Sequence, residues 1–335
     1  MFALLALLLG FGAANGSPVP KAKPAAGFAP FDLTYLPRAS NSVLAVRPGA
    51  LVKHFGEQDK MVSDTVRRTL AAGFAYIDGD LKAAPPPALT DIEQLVVSAK
   101  FNLNIESEKD GRSNFNIVGL SSGVVRTAQP FGWAKALTMW FPKAETVKHA
   151  GREYVRVPIT VGKDTSHLAF FVADARTLAF DTDEDVVKGL LTRLDKKETA
   201  AVPPGWNEVC RELVAVCHDN TGEGWLTAPD APKRDTDRAL VTVGRKATSL
   251  AIGFSAGAST SLKVVATARD ECDALDVRSA LKAVVTSLSD EEETGAAIAK
   301  LFTRTEVNRT GKVVRARGEV KGNLLRHLLD PEGER

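Results

Sequence analysis

The sequence predicts an α+β fold made of two related units, each a mostly antiparallel sheet with helices packed on one face. Short stretches in which apolar and polar residues alternate recur along the chain and are typical of half-buried strands. Stretches with apolar residues three and four positions apart, typical of amphipathic helices, separate them. The order strand, strand pair, helix, strand, helix occurs before residue 200 and again, more loosely, after it, which favours an internal repeat.

Residues 1–16 have the pattern of a secretory signal peptide. The sequence MFALLALLLGFGAANGS places an apolar run before small residues, although no Lys or Arg precedes that run. Either the amino terminus supplies the positive charge or the true start lies upstream. A membrane-spanning helix needs about 20 apolar residues, so we expect no stable transmembrane segment after cleavage. Residues 17–30, rich in Pro, Ala and Lys, are predicted to be a linker.

The first unit is predicted over residues 31–200. Its elements are a strand at 41–48, helices at 49–55 and 59–74, strands at 92–105 and 113–127, a helix opened by Pro130, a strand at 152–161, a strand pair within 167–183 and a helix at 184–194. Tyr154 and Arg156 are expected to share one face of their strand. Trp133 and Trp140, seven positions apart on a predicted helix, are expected in the core.

The second unit is predicted over residues 201–335, after a boundary at AVPPGW. Its elements are a strand at 211–219, a hairpin formed by segments 247–257 and 260–269, helices at 271–288 and 295–302, a strand at 312–321 and a closing helix at 323–329. The match between the two units is one of pattern, since their residues are not the same.

Two Gly-x-Ser-x-Gly patterns, centred on Ser121 and Ser255, raise the question of a serine hydrolase. A nucleophile elbow needs a strand before the serine and a helix directly after it. The residues after both serines are turn-like or strand-like, and His327 is the one histidine that follows Ser255. The sequence therefore predicts that neither serine is catalytic, with a serine hydrolase using Ser255 as the alternative.

The acidic stretch DTDED resembles part of a calcium loop. Asp181, Asp183 and Asp185 occupy the first, third and fifth positions, but the sixth and twelfth positions are not the required Gly and Glu. A helix start explains the stretch better, with Thr182 and Asp185 forming an approximate capping box. We therefore expect no metal site here, and no nucleotide or cofactor motif occurs elsewhere in the chain.

Three cysteines, Cys210, Cys217 and Cys272, allow at most one disulfide. Cys210 and Cys217 would approach each other if the first ends a helix and the second lies in the next strand. Their interpretation as three small buried hydrophobic residues is favoured over a bridge. Cys217 and His218 are neighbours, so on a strand they point to opposite faces and do not form a metal site together.

The segment near residue 315 is locally basic. On the predicted strand one face is apolar and the other charged, with the charged face carrying Arg315, Arg317 and Lys321. An anionic partner, such as an acidic polymer or a membrane surface, remains open. The chain's formal net charge of +2 and the lack of interleaved aromatic residues argue against a nucleic-acid partner.

Two segments resemble a known family. PFDLTYLPRASNSVLAVRPGALV and HLAFFVADARTLAFDTDEDVVKGLL are similar to parts of uncharacterised exported proteins of planctomycete-type bacteria, and to segments fused behind BlaR1-like membrane metallopeptidases. The resemblance covers Pro30 to about Leu194. The peptidase motif is absent, so the resemblance implies export and no catalytic residue.

These observations favour an exported, periplasmic or extracellular, non-enzymatic binding or interaction protein. Its 44% hydrophobic and 25% charged residues are ordinary values for a globular protein. Its partner is expected to be another envelope protein or an anionic surface polymer. A structural component of the cell envelope is a further alternative.

Overall fold

The computed structural model describes residues 28–37, 41–55, 83–105, 113–161, 164–221, 226–228, 235–255, 260–288 and 302–320. The strands in these stretches are β1 (Ser42–Val46), β2 (Ile92–Ile105), β3 (Ser113–Thr127), β4 (Glu145–His149), β5 (Arg152–Val161), β6 (Asp164–Asp174), β7 (Thr177–Asp181), β8 (Val214–Asp219), β9 (Leu226–Thr227), β10 (Ala247–Ser255), β11 (Thr260–Ala268), β12 (Phe302–Thr310) and β13 (Val313–Val320). The helices are α1 (Pro48–Phe55), α2 (Trp133–Trp140), α3 (Glu184–Asp195), α4 (Trp206–Val209), α5 (Asp235–Lys246) and α6 (Glu271–Leu288).

The thirteen described strands belong to one sheet. Their order is β12-β13-β11-β10-β8-β1-β2-β3-β7-β6-β5-β4, and β9 is added beside β2. Every pair along that path is antiparallel, and only the short β2–β9 pair is parallel. The predicted α+β class with a mostly antiparallel sheet is confirmed.

The expectation of a separate sheet in each unit is wrong. β1, from the predicted first unit, pairs with β8 from the second, with Leu44 opposite Val216, so the sheet crosses the boundary predicted at residue 200. Both strands are short and almost entirely buried, so each needs a paired neighbour along both edges. On each side of this central pair two strands follow in chain order and the outer strands in reverse order, but the outer strands number two on one side and four on the other, and a repeat relation between the halves stays a prediction.

The expectation that helices pack on one face of the sheet is also wrong. Residues 28–36, which we call the strap, lie with α3 and α4 on the face that carries Val43 and Ala215, here called the strap face. On the opposite face α2 packs against Phe170, and α5 and α6 pack around Ala266. Because strands such as β8 bury successive residues, both faces are apolar and both need a covering layer.

Several sequence predictions have a clear outcome. The hairpin of β10 and β11 is confirmed, and so are the helix at 271–288 and the strand at 313–320. The signal peptide, most of the linker and the predicted helices at 59–74 and 323–329 lie outside the described residues. The predicted helix at 295–302 also does, except for Phe302, which begins β12. Within the described stretches, no helix has the length and hydropathy needed to cross a membrane.

Candidate functional site

Ser255 is the last residue of β10, and β11 is the next described element, so the predicted hairpin position is confirmed. Its hydroxyl oxygen lies 2.6 Å from that of Ser261, directly across the strand pair. It also hydrogen-bonds to the carboxylate of Glu212. Burial raises the pKa of Glu212, because the charged form loses contact with water. His327, the histidine considered in the sequence, lies outside the described residues.

Ser121 lies inside β3, whose residues on both sides continue the strand. The helix that a nucleophile elbow requires therefore does not follow it. The motif is part of a long β-strand, as the sequence predicts.

A serine–histidine pair does occur in the centre of the sheet, where the sequence interpretation did not look for one. The Ser42 hydroxyl lies 2.5 Å from Nδ1 of His218, on the neighbouring strand. The exposed fraction of the two residues is 0% and 7%, so a substrate has no access to the hydroxyl. Burial lowers the pKa of His218 to about 4. The pair is a buried polar contact between β1 and β8.

The acidic stretch at residue 181 begins a helix, as predicted, but the capping residue is different. Asp183, and not Thr182, is the N-cap of α3, and its side chain accepts a hydrogen bond from the backbone N–H of Asp185. Asp181 is buried and accepts hydrogen bonds from the Ser122 hydroxyl and from the N–H of Asp183. These carboxylates are thus used by the protein itself, and the described residues contain no cluster suited to a metal ion.

The three cysteines are free thiols. Cys210 follows α4 and Cys217 lies in the next strand, which is the placement that would let them approach, and both are buried as free thiols. Cys272 is exposed, so the interpretation of all three as buried residues is wrong for this one. It lies in the first turn of α6, whose apolar stripe is set by other residues. Burial raises the pKa of Cys217 to about 12.

The charged face of β13 is confirmed for Arg315 and Arg317, whereas Lys321 lies outside the described residues. The Glu208 carboxylate accepts bonds from Arg315 at 2.7 Å and from Lys263 at 3.0 Å, which together lower its pKa to about 2. Glu306 stands opposite Arg317 in the register of β12 and β13. Because Glu208 pairs with both Arg315 and Lys263, this face favours an anionic polymer less than the sequence alone does.

Buried side chains hold the strap onto the sheet. Arg47, directly after β1, donates hydrogen bonds to the carbonyl oxygens of Ala29, Cys210 and Glu212. Its guanidinium carbon lies 3.9 Å from the ring centre of Phe31 and 4.8 Å from that of Phe28. Such cation–π contacts stabilise a buried cation that water no longer reaches.

Two further side chains bind the strap backbone. The Gln94 amide forms two hydrogen bonds with one residue, since its oxygen accepts from the N–H of Asp32 at 3.1 Å and its nitrogen donates to the carbonyl of Asp32 at 3.4 Å. One nitrogen of Arg193, on α3, donates to the carbonyls of Thr34 and Leu36, each at 2.9 Å. The strap is therefore fixed at several points along its backbone.

A cleft of about 520 Å³ opens beside the strap. Residues 30–34 line one side, and residues from 199–202 and 206–211 line the other. Phe31 and Trp206 are buried at its base with ring centres 6.0 Å apart, whereas Val202 is 57% exposed at its rim. The predicted boundary AVPPGW thus contributes Val202 and Trp206 to the lining of the cleft.

No protein-family model matches the chain, and no curated protein sequence matches it. Two solved structures are similar. They are crystal forms III and I of TP0453. Crystal form III is 8% identical to this chain with a TM-score of 0.44, and crystal form I is 9% identical with a TM-score of 0.43. Both matches cover 90% of this chain and 96% of the TP0453 chain. Similarity at this level carries no argument about function. The resemblance to exported planctomycete-type proteins stays a prediction.

The sequence interpretation missed Arg47, Gln94, Arg193 and the cleft. Arg47 stands in VLAVRP and was assigned to a strand, and its partners are backbone carbonyls, which any residue supplies. A single charged residue between an apolar strand and a proline is the one local indication of a buried role. Trp133 and Trp140, by contrast, are core residues as predicted, and the Trp140 indole donates to the carbonyl of Ala84 at 2.7 Å.

Proposed function

We propose that the protein is an exported, non-enzymatic binding protein whose ligand occupies the cleft beside the strap. The observation that carries this proposal is the cleft itself. Its volume of about 520 Å³ lies in the range of roughly 300–1,000 Å³ that is usual for ligand sites.

The lining supports binding more than chemistry. The base is made of buried rings, and the exposed Val202 offers an apolar contact at the rim. Asn207 and Arg211 supply amide and guanidinium donors along one wall. The thiol of Cys210 is buried and its hydrogen goes to the carbonyl of Asn207. A partner that presents an apolar side chain flanked by acceptors matches this arrangement.

The exported location rests on the apolar run in residues 1–16. The partner proposed with it is another envelope protein, since the balanced charges around Glu208 offer little to an anionic surface polymer. Amino-terminal sequencing of the mature protein checks the location. We expect a start near residue 15 or 17, and an intact Met1 on a cytoplasmic protein would refute export.

A matched pair of substitutions tests the cleft. Val202→Arg places a charge at its rim, and Leu275→Arg makes the same change at an exposed position on α6, where the side chain is 49% exposed. Immobilised wild-type protein and the Leu275→Arg variant should retain the same component of an envelope extract, and Val202→Arg should lose it. Equal retention by all three proteins contradicts a role for the cleft, and favours the structural-component alternative if all three sediment with the envelope.

A serine hydrolase using Ser255 is the second candidate, because its hydroxyl contacts the Glu212 carboxylate. A carboxylate with a raised pKa is able to act as a general base. We expect no labelling by a fluorophosphonate probe and no hydrolysis of small esters. Ester hydrolysis that is lost in folded Ser255→Ala and Glu212→Gln variants would replace the binding proposal with an enzymatic one.

A further inference from the structure

Side chains of the sheet and of α3 hold the backbone of the strap, as they would hold a peptide ligand. Pairing between backbone groups, as in a β-strand, contributes little. Its backbone contacts are made by side chains: Arg47 at residue 29, Gln94 at residue 32 and Arg193 at residues 34 and 36. One bond between backbone groups, from the N–H of Phe31 to the carbonyl of Cys210, joins it to the residue after α4.

Backbone groups are the same in every sequence, so these contacts select an extended conformation and a register. The apolar side chains add the sequence preference. Phe31, Leu33 and Leu36 are buried in the same core cluster as the sheet. Phe28 and Phe31 both face the guanidinium of Arg47.

The buried donor groups beneath the strap need hydrogen-bond acceptors. Arg47 and Gln94 are both buried, and burial lowers the pKa of Arg47 because its charge is removed from water. Without the strap, Gln94 would lose both of its hydrogen bonds to Asp32 and Arg47 would lose the one to Ala29, which is unfavourable. A groove with fixed hydrogen-bond donors and apolar pockets is a feature of sites that recognise extended peptides.

The surface beneath the strap, which carries Arg47, Gln94 and Arg193, forms a groove. We propose that this groove is a recognition site for extended polypeptide segments, and that the protein's own strap occupies it in the present structure. The ligand class has aromatic residues at its first and fourth positions and aliphatic residues at its sixth and ninth, as residues 28, 31, 33 and 36 do. The proposal rests on the binding function proposed above and adds a second binding mode, since the cleft exists with the strap bound and the groove opens when the strap leaves. A partner segment of this pattern displaces the strap and is held by Arg47, Gln94 and Arg193.

The strap competes with such a segment as a tethered ligand. A short tether gives an effective concentration in the range of about 1 mM, so an intact chain binds a free peptide weakly. Cutting the chain between the strap and β1 removes this advantage. The cut turns the strap into an ordinary ligand that leaves by dilution.

The experiment uses the full chain with a specific protease site in place of residues 38–40. After cleavage and dialysis, a fluorescein-labelled peptide of residues 28–37 is titrated and its polarisation is measured. We expect saturable binding that unlabelled peptide reverses, and at least tenfold weaker binding to the uncut protein. A peptide carrying Phe31→Ala should bind about tenfold more weakly, the change that loss of one buried aromatic contact brings, and a scrambled peptide should not bind.

Two controls separate the outcomes. Arg47→Met in the cleaved protein should weaken binding about tenfold, and the altered peptides give the same information if that variant does not fold. A cleaved protein that keeps its circular dichroism spectrum but does not bind the peptide, or one that unfolds on cleavage, overturns the proposal. In either case the uncut Val202→Arg and Leu275→Arg pair still reports on the cleft, so failure of this inference is distinguishable from failure of the binding function.

Discussion

The strap face of the sheet is closed at one end and open at the other. Over β6 and β7 the twelve-residue helix α3 covers the sheet, and its inner side chains Val187, Leu190 and Leu191 are fully buried. Over β8 and β10 the cover is α4, a single turn of four residues. The cleft lies between α4 and the strap.

The sequence explains this difference. The segment of α3 has a good N-cap and an unbroken apolar stripe. α4 is preceded by two prolines and Gly205, which has a φ of +75°. A Cβ at Gly205 would lie 2.9 Å from that of Ala251, so glycine is required both for the turn and for the close approach to β10. Local conformation thus shortens the helix and leaves the cleft open.

The largest effect is expected at the closed end. Leu190→Ala removes a side chain that is 1% exposed and should lower the free energy of unfolding by about 2–5 kcal/mol. Urea unfolding followed by circular dichroism measures it. Leu275→Ala, at an exposed position on α6, should change the same quantity by less than about 0.5 kcal/mol. Equal effects at the two positions would contradict the described packing of α3.

The next largest effect on the free energy of unfolding is expected at His218, in the strand β8 that pairs with β1. Its pKa is about 4 in the folded protein against an ordinary value of 6.5, so the unfolded chain takes up a proton first. The free energy of unfolding should therefore fall as pH drops from about 6.5 to 4, by roughly 3 kcal/mol for this residue. Unfolding of wild type and His218→Gln at a series of pH values isolates this contribution. Parallel pH profiles would show that the imidazole is protonated equally in both states.

A smaller effect on the free energy of unfolding is expected from the carboxylates that form ion pairs near α4 and on α3. Glu208 is held by Arg315 and Lys263, and Glu184 by the hydroxyl of Tyr154 and by Lys188. Glu208→Gln should lower the free energy of unfolding by about 1 kcal/mol at pH 7. The pKa of Glu208 is lowered to about 2 from 4.5, so its stabilisation is present above pH 4.5 and is lost as pH falls towards 2. A cost that persists at pH 2 would indicate a packing effect.

The smallest effect is expected on the open end itself. Arg317→Ala changes an exposed side chain on β13 and should alter stability by less than about 0.5 kcal/mol. Thermal unfolding checks this, with Arg315→Ala as the comparison, because Arg315 makes a direct contact with Glu208. A larger loss for Arg317 than for Arg315 would mean that this face is less open than the structure shows.

The local periodicity of the sequence predicted most helices and strands, but it carries no information about which strands pair over a long distance in sequence. The stripe on α3 and the shared face of Tyr154 and Arg156 follow from spacing within one segment, and both are confirmed. Residues 235–246 form a helix that was not predicted, although acidic residues in its first turn and basic residues in its last indicate one. The pairing of β1 with β8 has no local pattern, so two sheets were expected where one exists.

The candidate site was less predictable than the fold. Ser255 and the acidic stretch were noticed because they match motifs, and the structure gives both of them structural partners. The residues that hold the strap match no motif. Gln94 and Arg193 lie far apart in sequence and meet on the strap only because β2 and α3 pack on the same face. Such sites emerge from tertiary structure alone.

The central position of β1 has a consequence for how the chain folds. Ser42 and His218, which meet in the finished sheet, are 176 positions apart in sequence. Contacts of such separation make folding slow, because a long loop must close before the contact stabilises anything. A chain made amino end first presents β1 long before β8 exists, and its unpaired edge is open to wrong partners during that delay. The edge of β1 that pairs with β8 therefore has no partner until about two thirds of the chain has been synthesised.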